Sequence, residues 1–264
     1  MAGLPSQSWL KMQLTVVLPT YNEAENLPKI TAALLGLPLP NLKILVVDDN
    51  SPDGTGAIAD ELSARHPGRF SVLHRTGKLG LGSAYLRGFR QALDNGAEAI
   101  GQMDADFSHP PEKLTKMLTA LETCDMVIGS RYVPGGKLDE NWPLWRKMLS
   151  AFGNFYARTI LRLPIRDTTG GFKLWQRHTL ETMPLERVRS NGYAFQIEMN
   201  YIACRLGFHA VEIPIYFANR QWGDSKMSFR IQREAAIRVW QFLGEYRDLK
   251  PPPEKPGQTK KRCN

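Results

Sequence analysis

The sequence predicts an α/β domain built on a parallel sheet, and three observations carry that expectation. Short apolar runs alternate strictly with helix-like segments through the first half of the chain. β-Branched residues crowd into the runs, and turns rich in Gly, Asn and Asp separate them. Such a pattern describes βαβ units whose strands are buried on both faces.

The elements follow in order. "LTVVLP" (14–19) is a first strand, and "NEAENLPKITAALLGL" (22–37) is an amphipathic helix. "KILVVDD" (43–49) is a second strand, and "DGTGAIADELSARH" is a helix entered through a Gly-rich turn. "FSVLHR" is a third strand, and "GSAYLRGFRQALDNG" is a helix closed by glycine. "AEAIGQMDAD" is a fourth strand. Ligands of such sheets bind beyond the carboxyl ends of the strands, where "PTYNE", "VDDNSPDGT" and "DADFSHPP" all fall. After "DMVIGSRYV" (125–133) the style changes. Near 143–163, Trp145, Met148, Leu149, Phe152, Phe155 and Tyr156 interleave with Arg146, Lys147, Arg158 and Arg162, and 227–247 repeats the theme. Apolar faces edged with cations suit helices lying in a membrane interface, and they suit ordinary core helices as well.

The 264 residues divide into a short N-terminal extension (1–11), one domain (12–249) and a Pro-rich basic tail (250–264) expected to be disordered. With 42% hydrophobic and 23% charged residues, the chain reads as an ordinary globular protein. The net charge of +8 favours an anionic partner, which could be nucleic acid, a membrane surface or a phosphate-bearing substrate. The basic residues are distributed rather than gathered on a recognition element with aromatics, so no nucleic acid is expected. Cys124, Cys204 and Cys263 have neither CxxC nor metal-ligand spacing and read as reduced thiols of a cytoplasmic protein. No signal peptide and no run of about 18 apolar residues is present, so work on lipid would be done from a membrane surface.

Asp104 and Asp106 stand two residues apart after the fourth strand and so point to one side. Paired carboxylates facing a phosphate site suit Mg²⁺ or Mn²⁺, with the remaining positions filled by water and substrate oxygens. Asp48 and Asp49 can accept hydrogen bonds from a base or ribose, and they can equally be turn and cap residues. "TGKLGLGSA" is not a dinucleotide fingerprint, because Tyr85 stands at the third glycine and the segment follows the wrong strand.

Six motifs, "LPTYNEAENL", "VVDDNSPDGT", "KLGLGSAYLRGF", "MDADFSHPPE", "GSRYVPGG" and "GFKLW", occur in an order and spacing that resemble the inverting GT-A glycosyltransferases. Within them the chain is most similar to the dolichol-phosphate (polyprenyl-phosphate) mannose synthases, over roughly 12–246. The resemblance implies the GT-A nucleotide-diphospho-sugar transferase fold, with a mostly parallel central sheet and helices on both faces. It implies transfer of mannose from GDP-mannose to a polyprenyl monophosphate with inversion. It places donor contacts on Pro19, Tyr21, Glu23, Val47, Asp49, Asp104, Ala105 and Asp106, with Arg220 and Lys226 closing over the diphosphate. Arg131 matches an arginine at the reacting phosphates, and Arg146 and Ser150 are spaced like the pair that holds the lipid phosphate. Asp106 and Arg131 are the expected catalytic residues. Ser108 stands where some relatives ligate the metal through Gln, so it would ligate only through a shorter hydroxyl.

The chemistry agrees with that resemblance. Charge building on a nucleoside diphosphate leaving group calls for a metal and cations. An acceptor phosphate is already an anion, whereas an acceptor hydroxyl would need a base, for which Glu198 is the candidate. "WGDSKMS" reads as a loop able to carry Lys226 onto phosphates as a lid does. The expected location is the cytoplasmic face of a membrane, held peripherally, and a membrane-anchoring subunit remains open as a partner. The alternatives are a polyprenyl-phosphate glucosyltransferase using UDP-glucose and, from a different class, a non-catalytic nucleotide-binding protein on the same fold.

Overall fold

The computed structural model describes residues 11–218 and 229–251. Its first half is the expected alternation: β1 (Leu14–Thr20), α1 (Leu27–Leu35), β2 (Leu42–Asp48), α2 (Thr55–Arg65), β3 (Phe70–His74), α3 (Leu81–Asp94), β4 (Ala99–Gln102) and α4 (Lys113–Leu121). The helix α1 starts five residues later than its apolar pattern suggests. Asn22 takes a left-handed conformation (φ 61°), and Pro28 sits in the first helical turn, where its missing N–H costs nothing. The strand β4 is also shorter than expected, so Asp104 and Asp106 lie beyond the sheet.

The second half contributes β5 (Met126–Ser130), β6 (Lys137–Leu138), α5 (Leu144–Leu161), β7 (Lys173–Gln176), α6 (Arg177–Thr182), α7 (Gly192–Arg205), β8 (Ala210–Pro214), β9 (Tyr216–Phe217) and α8 (Phe229–Glu245). The main sheet runs β3-β2-β1-β4-β7-β5-β8. All its pairings are parallel except those of β7, which runs antiparallel between β4 and β5. The sheet is therefore mostly parallel, and the reversed strand brings residues 169–171, at its amino end, to the carboxyl ends of its neighbours.

Alternation along the strands divides the core in two. Val17, Leu45, Val47 and Ile100 pack on one face with Tyr85 and Phe89 of α3, Phe195 of α7 and Phe242 of α8. Val16, Leu18, Ile44 and Val46 pack on the other with Ile30 of α1, Leu62 of α2 and Leu118 of α4. Burying each such side chain contributes about 1.5–3 kcal/mol relative to leaving it in water. Gly88 lets α3 sit directly on the strands, since a Cβ there would lie 2.3 Å from Val17 Cγ1.

Candidate active site

A cleft of about 360 Å³ opens at the carboxyl ends of the strands. Its first wall is built from the loops after β1, β2, β3 and β4, shaped by bonds within each turn and by longer ones that tie the loops together. Asp48 is buried and serves as a turn anchor, accepting from Thr20 Oγ1 (2.9 Å), Ser51 Oγ (2.6 Å) and the Ser51 N–H (3.1 Å). Asp49 faces the cleft, where Arg75 Nη1 pairs with it at 2.7 Å and the N–H groups of Leu79 and Gly80 donate to its other oxygen. Tyr21 lines the mouth with the Lys78 ammonium 4.0 Å from its ring centroid, a cation–π contact.

Asp104 and Asp106 stand together at the floor of this wall. The Tyr85 hydroxyl donates to Asp104 Oδ1 at 2.8 Å. Burial, and then the charges of Asp104 and Asp106, push the Tyr85 phenol well above its usual range, so it stays a proton donor. Ser108 donates to Asp106 Oδ1 through Oγ (2.6 Å) and its backbone N–H (3.0 Å). The Asp104 N–H donates to Nδ1 of His109, which places the ring proton on Nε2. Burial holds this histidine below its ordinary pKa, and its ring stacks on Phe172. Between the carboxylates and this histidine, Phe107 adopts φ 61°, at a cost of about 1–2 kcal/mol for a non-glycine residue. The surrounding bonds hold the strained loop in place.

The second wall is assembled across long stretches of chain. Arg131, at the end of β5, makes a bidentate pair with the fully buried Asp167 (Nε to Oδ2 2.8 Å, Nη2 to Oδ1 2.6 Å). Its Nη2 also donates to Thr169 Oγ1 at 2.7 Å. Burial alone would raise the Asp167 carboxyl, but the Arg131 charge and hydrogen bonds outweigh it and hold it below the usual carboxylate range. The same Asp167 keeps Arg131 ionised despite its burial. Asn154 of α5 braces this loop by accepting from Thr168 N–H (2.7 Å) and Thr168 Oγ1 (2.9 Å). One and two turns earlier on the same helix face lie Ser150, which accepts from Tyr132 OH (2.7 Å), and Arg146, whose guanidinium lies 3.8 Å from the Trp142 ring centroid.

The opposite face of α5 is exposed and apolar. Leu144, Trp145, Met148, Phe152 and Phe155 are each more than 60% exposed. Trp240 of α8 donates to Tyr156 OH at 2.8 Å, joining the two helices, and is itself 59% exposed. Single exposed apolar residues are ordinary, whereas a row of this size marks an interaction surface. No helix among the described residues is long and apolar enough to cross a membrane.

Of the residues expected at the site, Pro19, Tyr21, Glu23, Asp49, Asp104, Ala105, Asp106, Arg131 and Arg146 line the cleft. Val47 does not, because its side chain is fully buried on the face of the sheet that meets α3. Ser108 is buried against Asp106, and its hydroxyl holds that carboxylate instead of lining the cleft. Glu198, the candidate base, is also absent from the lining. It is fully buried, accepts from the Ser190 N–H (2.9 Å) and Tyr246 OH (2.8 Å), and pairs with Arg238. Arg220 and Lys226 lie outside the described residues. Sequence reasoning missed Asp167, Thr169 and Gln196, and met Tyr85 only as the residue that voids a dinucleotide fingerprint. The polar "DTTG" run just before the motif "GFKLW" was the available signal for the first two.

The two carboxylates supply hard oxygen donors beside the cleft and fit a divalent cation that takes its other ligands from water and phosphate. Among the described residues no group of three or more His, Cys, Asp or Glu is placed to hold a metal ion.

Comparison with known proteins identifies the family and the fold. Residues 15–183 match the family model described as glycosyl transferase family 2. An undecaprenyl-phosphate mannosyltransferase of Micrococcus luteus is 46% identical over 241 residues, covering 90% of this chain and 98% of the relative. A polyprenol monophosphomannose synthase of Mycolicibacterium smegmatis is 49% identical over 232 residues, covering 87% of each. Among solved structures, a Pyrobaculum calidifontis mannosyltransferase in complex with GDP-Man and Mn²⁺ superposes with a TM-score of 0.60 at 21% identity. That match covers 94% of this chain and 71% of the other, and it establishes a shared fold.

Proposed function

The chain belongs to glycosyl transferase family 2, alongside the polyprenyl-phosphate mannose synthases, and from that premise we propose that it transfers mannose from GDP-mannose to a polyprenyl monophosphate with inversion at the anomeric carbon. The observation that carries this reading is the two-sided helix α5. One face brings Arg146 to the cleft, while Ser150 and Asn154 on the same face do not line it but brace Tyr132 and the Thr168 loop behind it, and the other face is an exposed row of large apolar residues. A helix is about 10–12 Å across. A lipid whose tail meets the outer face can therefore bring its phosphate to the inner one.

In this reading the first wall takes the sugar nucleotide, with its base and ribose near Tyr21 and Asp49 and its diphosphate at Asp104 and Asp106. A divalent ion bound there would neutralise charge on the leaving diphosphate. Tyr85 and Ser108 fix the two carboxylates, each by a hydroxyl donor to one oxygen. Arg131, kept charged by Asp167, and Arg146 gather the acceptor phosphate against the repulsion of the donor. An acceptor phosphate oxygen attacks the anomeric carbon from the side opposite the diphosphate. That carbon–oxygen bond forms as the bond to the leaving phosphate oxygen breaks, and the electron pair departs with GDP. A phosphate monoester has its second pKa near 6 and is largely ionised at neutral pH, so no base is required. Arg220 and Lys226 are assigned to the leaving diphosphate in the same reading. The apolar face of α5 with α8 would rest on the cytoplasmic surface of the membrane.

The test is transfer of radiolabel from GDP-mannose, and in parallel from UDP-glucose, into an organic-extractable lipid with added polyprenyl phosphate, with and without EDTA. Metal-dependent mannolipid is the expected result. Label from UDP-glucose alone would replace the donor, and absence of any lipid product would overturn the acceptor class. Sedimentation with anionic liposomes should fall when Trp145 and Phe152 are both changed to Ser, and unchanged sedimentation would remove the membrane-facing role of α5.

A further inference from the structure

Gln196, on the first turns of α7, lines the cleft, yet it is only 3% exposed and one end of its amide is fully occupied. Lys173 Nζ donates to Gln196 Oε1 at 2.9 Å, and Gln102 Nε2 donates to the same oxygen at 2.6 Å. Lys173 can donate here whether charged or neutral, and the amide is held from flipping by Gln102, whose Nε2 faces its oxygen. The Trp175 indole N–H donates to Gln102 Oε1 (3.4 Å), which orients Gln102 the same way. With both lone pairs of Oε1 used, Gln196 offers the cleft only the N–H bonds of Nε2. That nitrogen makes no hydrogen bond to a described residue and lies beside Gly171, where an added Cβ would meet it at 3.5 Å and His109 Cε1 at 3.2 Å.

Gln196 shares the cleft with His109, which is bonded to Asp104 and lies with Gln196 beside Gly171, and with the Arg131–Thr169 pair of the second wall. The anionic ends of the substrates have the carboxylate-held metal and the arginines. A neutral donor in the same cleft suits the neutral, hydroxyl-bearing group that joins diphosphate to acceptor in the reaction. We propose that Gln196 reads a hydroxyl of the sugar being transferred, donating through Nε2 while Lys173 and Gln102 hold its carbonyl oxygen. Lys173 and Gln102 are then positioning residues that act through Gln196. This inference rests on the reading that a sugar nucleotide occupies the cleft, but not on the identity of the acceptor.

The test compares calorimetric binding of GDP with GDP-mannose, and of UDP with UDP-glucose, to the full chain with Mn²⁺ present. Gln196→Met should bind the bare nucleotide as the wild type does and the sugar nucleotide about tenfold more weakly, the worth of one neutral hydrogen bond. In the transfer assay the KM for the sugar nucleotide should rise while that for polyprenyl phosphate stays the same. Because the single change strands both Lys173 and Gln102 Nε2, the double variant Lys173→Met/Gln196→Met, which removes the stranded amine and leaves only the Gln102 amide without its acceptor, serves as the control for folding. Equal loss of bare nucleotide and sugar nucleotide would make Gln196 structural, and a rise in the lipid KM alone would move its contact to the acceptor. Either result, or no change at all, overturns the proposal. A wild type that binds sugar nucleotide but labels no lipid would sink the proposed reaction and leave this comparison standing. A wild type that binds no sugar nucleotide ends both.

Discussion

The two walls of the cleft are made by different means. The carboxylate turn of the first is held largely from within, since Asp106 with Ser108 and Asp104 with His109 are bonds between residues at most five apart, and only Tyr85 reaches Asp104 from farther along the chain. The second joins Arg131 to Asp167 across 36 residues, and Asn154 to Thr168 across 14, through a helix and a reversed strand. The first wall tolerates local strain, as Phe107 shows, because its own turn holds it. The second depends on the tertiary fold being complete. Losses at the first wall should therefore fall on chemistry, and losses at the second on stability as well.

The sharpest test of that contrast is Asp106→Ala. Removing a carboxylate expected to hold the donor's charge should lower kcat on the order of 10²–10³-fold, with circular dichroism unchanged. Transfer that persists with EDTA present in this variant would dissolve the distinction. At the second wall, Asp167→Asn leaves a buried guanidinium without its counter-ion. Breaking such a pair costs about 3–5 kcal/mol, read as a lower urea midpoint, and the KM for polyprenyl phosphate should rise more than that for GDP-mannose. A midpoint within error of wild type would show that Arg131 finds another partner.

Between the walls, Lys173 gives a pH signature. Burial, partly offset by Asp167 and Cys204, lowers its pKa from 10.5 to about 7. The unfolded chain keeps that proton through the window in which the folded chain has lost it. Stability should therefore rise with pH from about 7 to about 10, by at most about 1.4 kcal/mol per unit. Below about 7 both states are protonated and the burial penalty stands in full. Lys173→Met should flatten the curve, and parallel curves for the two proteins would refute a buried titrating lysine.

The contrast also explains what could be read from the sequence. The βα alternation, the carboxylate pair and the position of each loop beyond a strand end were legible because each is a local pattern. Asp167 was not, since nothing in "RDTTGG" says that the carboxylate will lie against an arginine from another strand. The reversal of β7 was equally hidden, because four residues of "KLWQ" have the same apolar character in either direction. The burial of the Val47 side chain away from the cleft was hidden for a related reason. The end of a strand near the cleft presents alternate side chains to the core, and the parity depends on the register, which pairs Val47 with Pro19 and Leu73. Gln196 lay in the segment considered for a base, two residues from Glu198. A helix places residues two apart on different faces, so one meets the cleft and the other meets Tyr246.

The smallest expected effect concerns Ser108, and it separates two roles that share a position. If the serine were a metal ligand, removing its hydroxyl would take a donor from the ion itself. The structure gives that hydroxyl to Asp106 Oδ1 at 2.6 Å, with the backbone N–H of the same residue reinforcing it at 3.0 Å. Ser108→Ala keeps the N–H bond and loses one neutral-to-charged hydrogen bond, worth about 1.5–3 kcal/mol at most and less where the backbone donor still holds the carboxylate. Metal affinity should fall by roughly tenfold, the lower end for a group that orients a ligand. With saturating Mn²⁺ the activity should return nearly to wild type, whereas Asp106→Ala should keep its full loss at any metal concentration. A Ser108→Ala enzyme that saturating metal cannot restore would make the hydroxyl a ligand, and the first wall would no longer be a site held by its own turn.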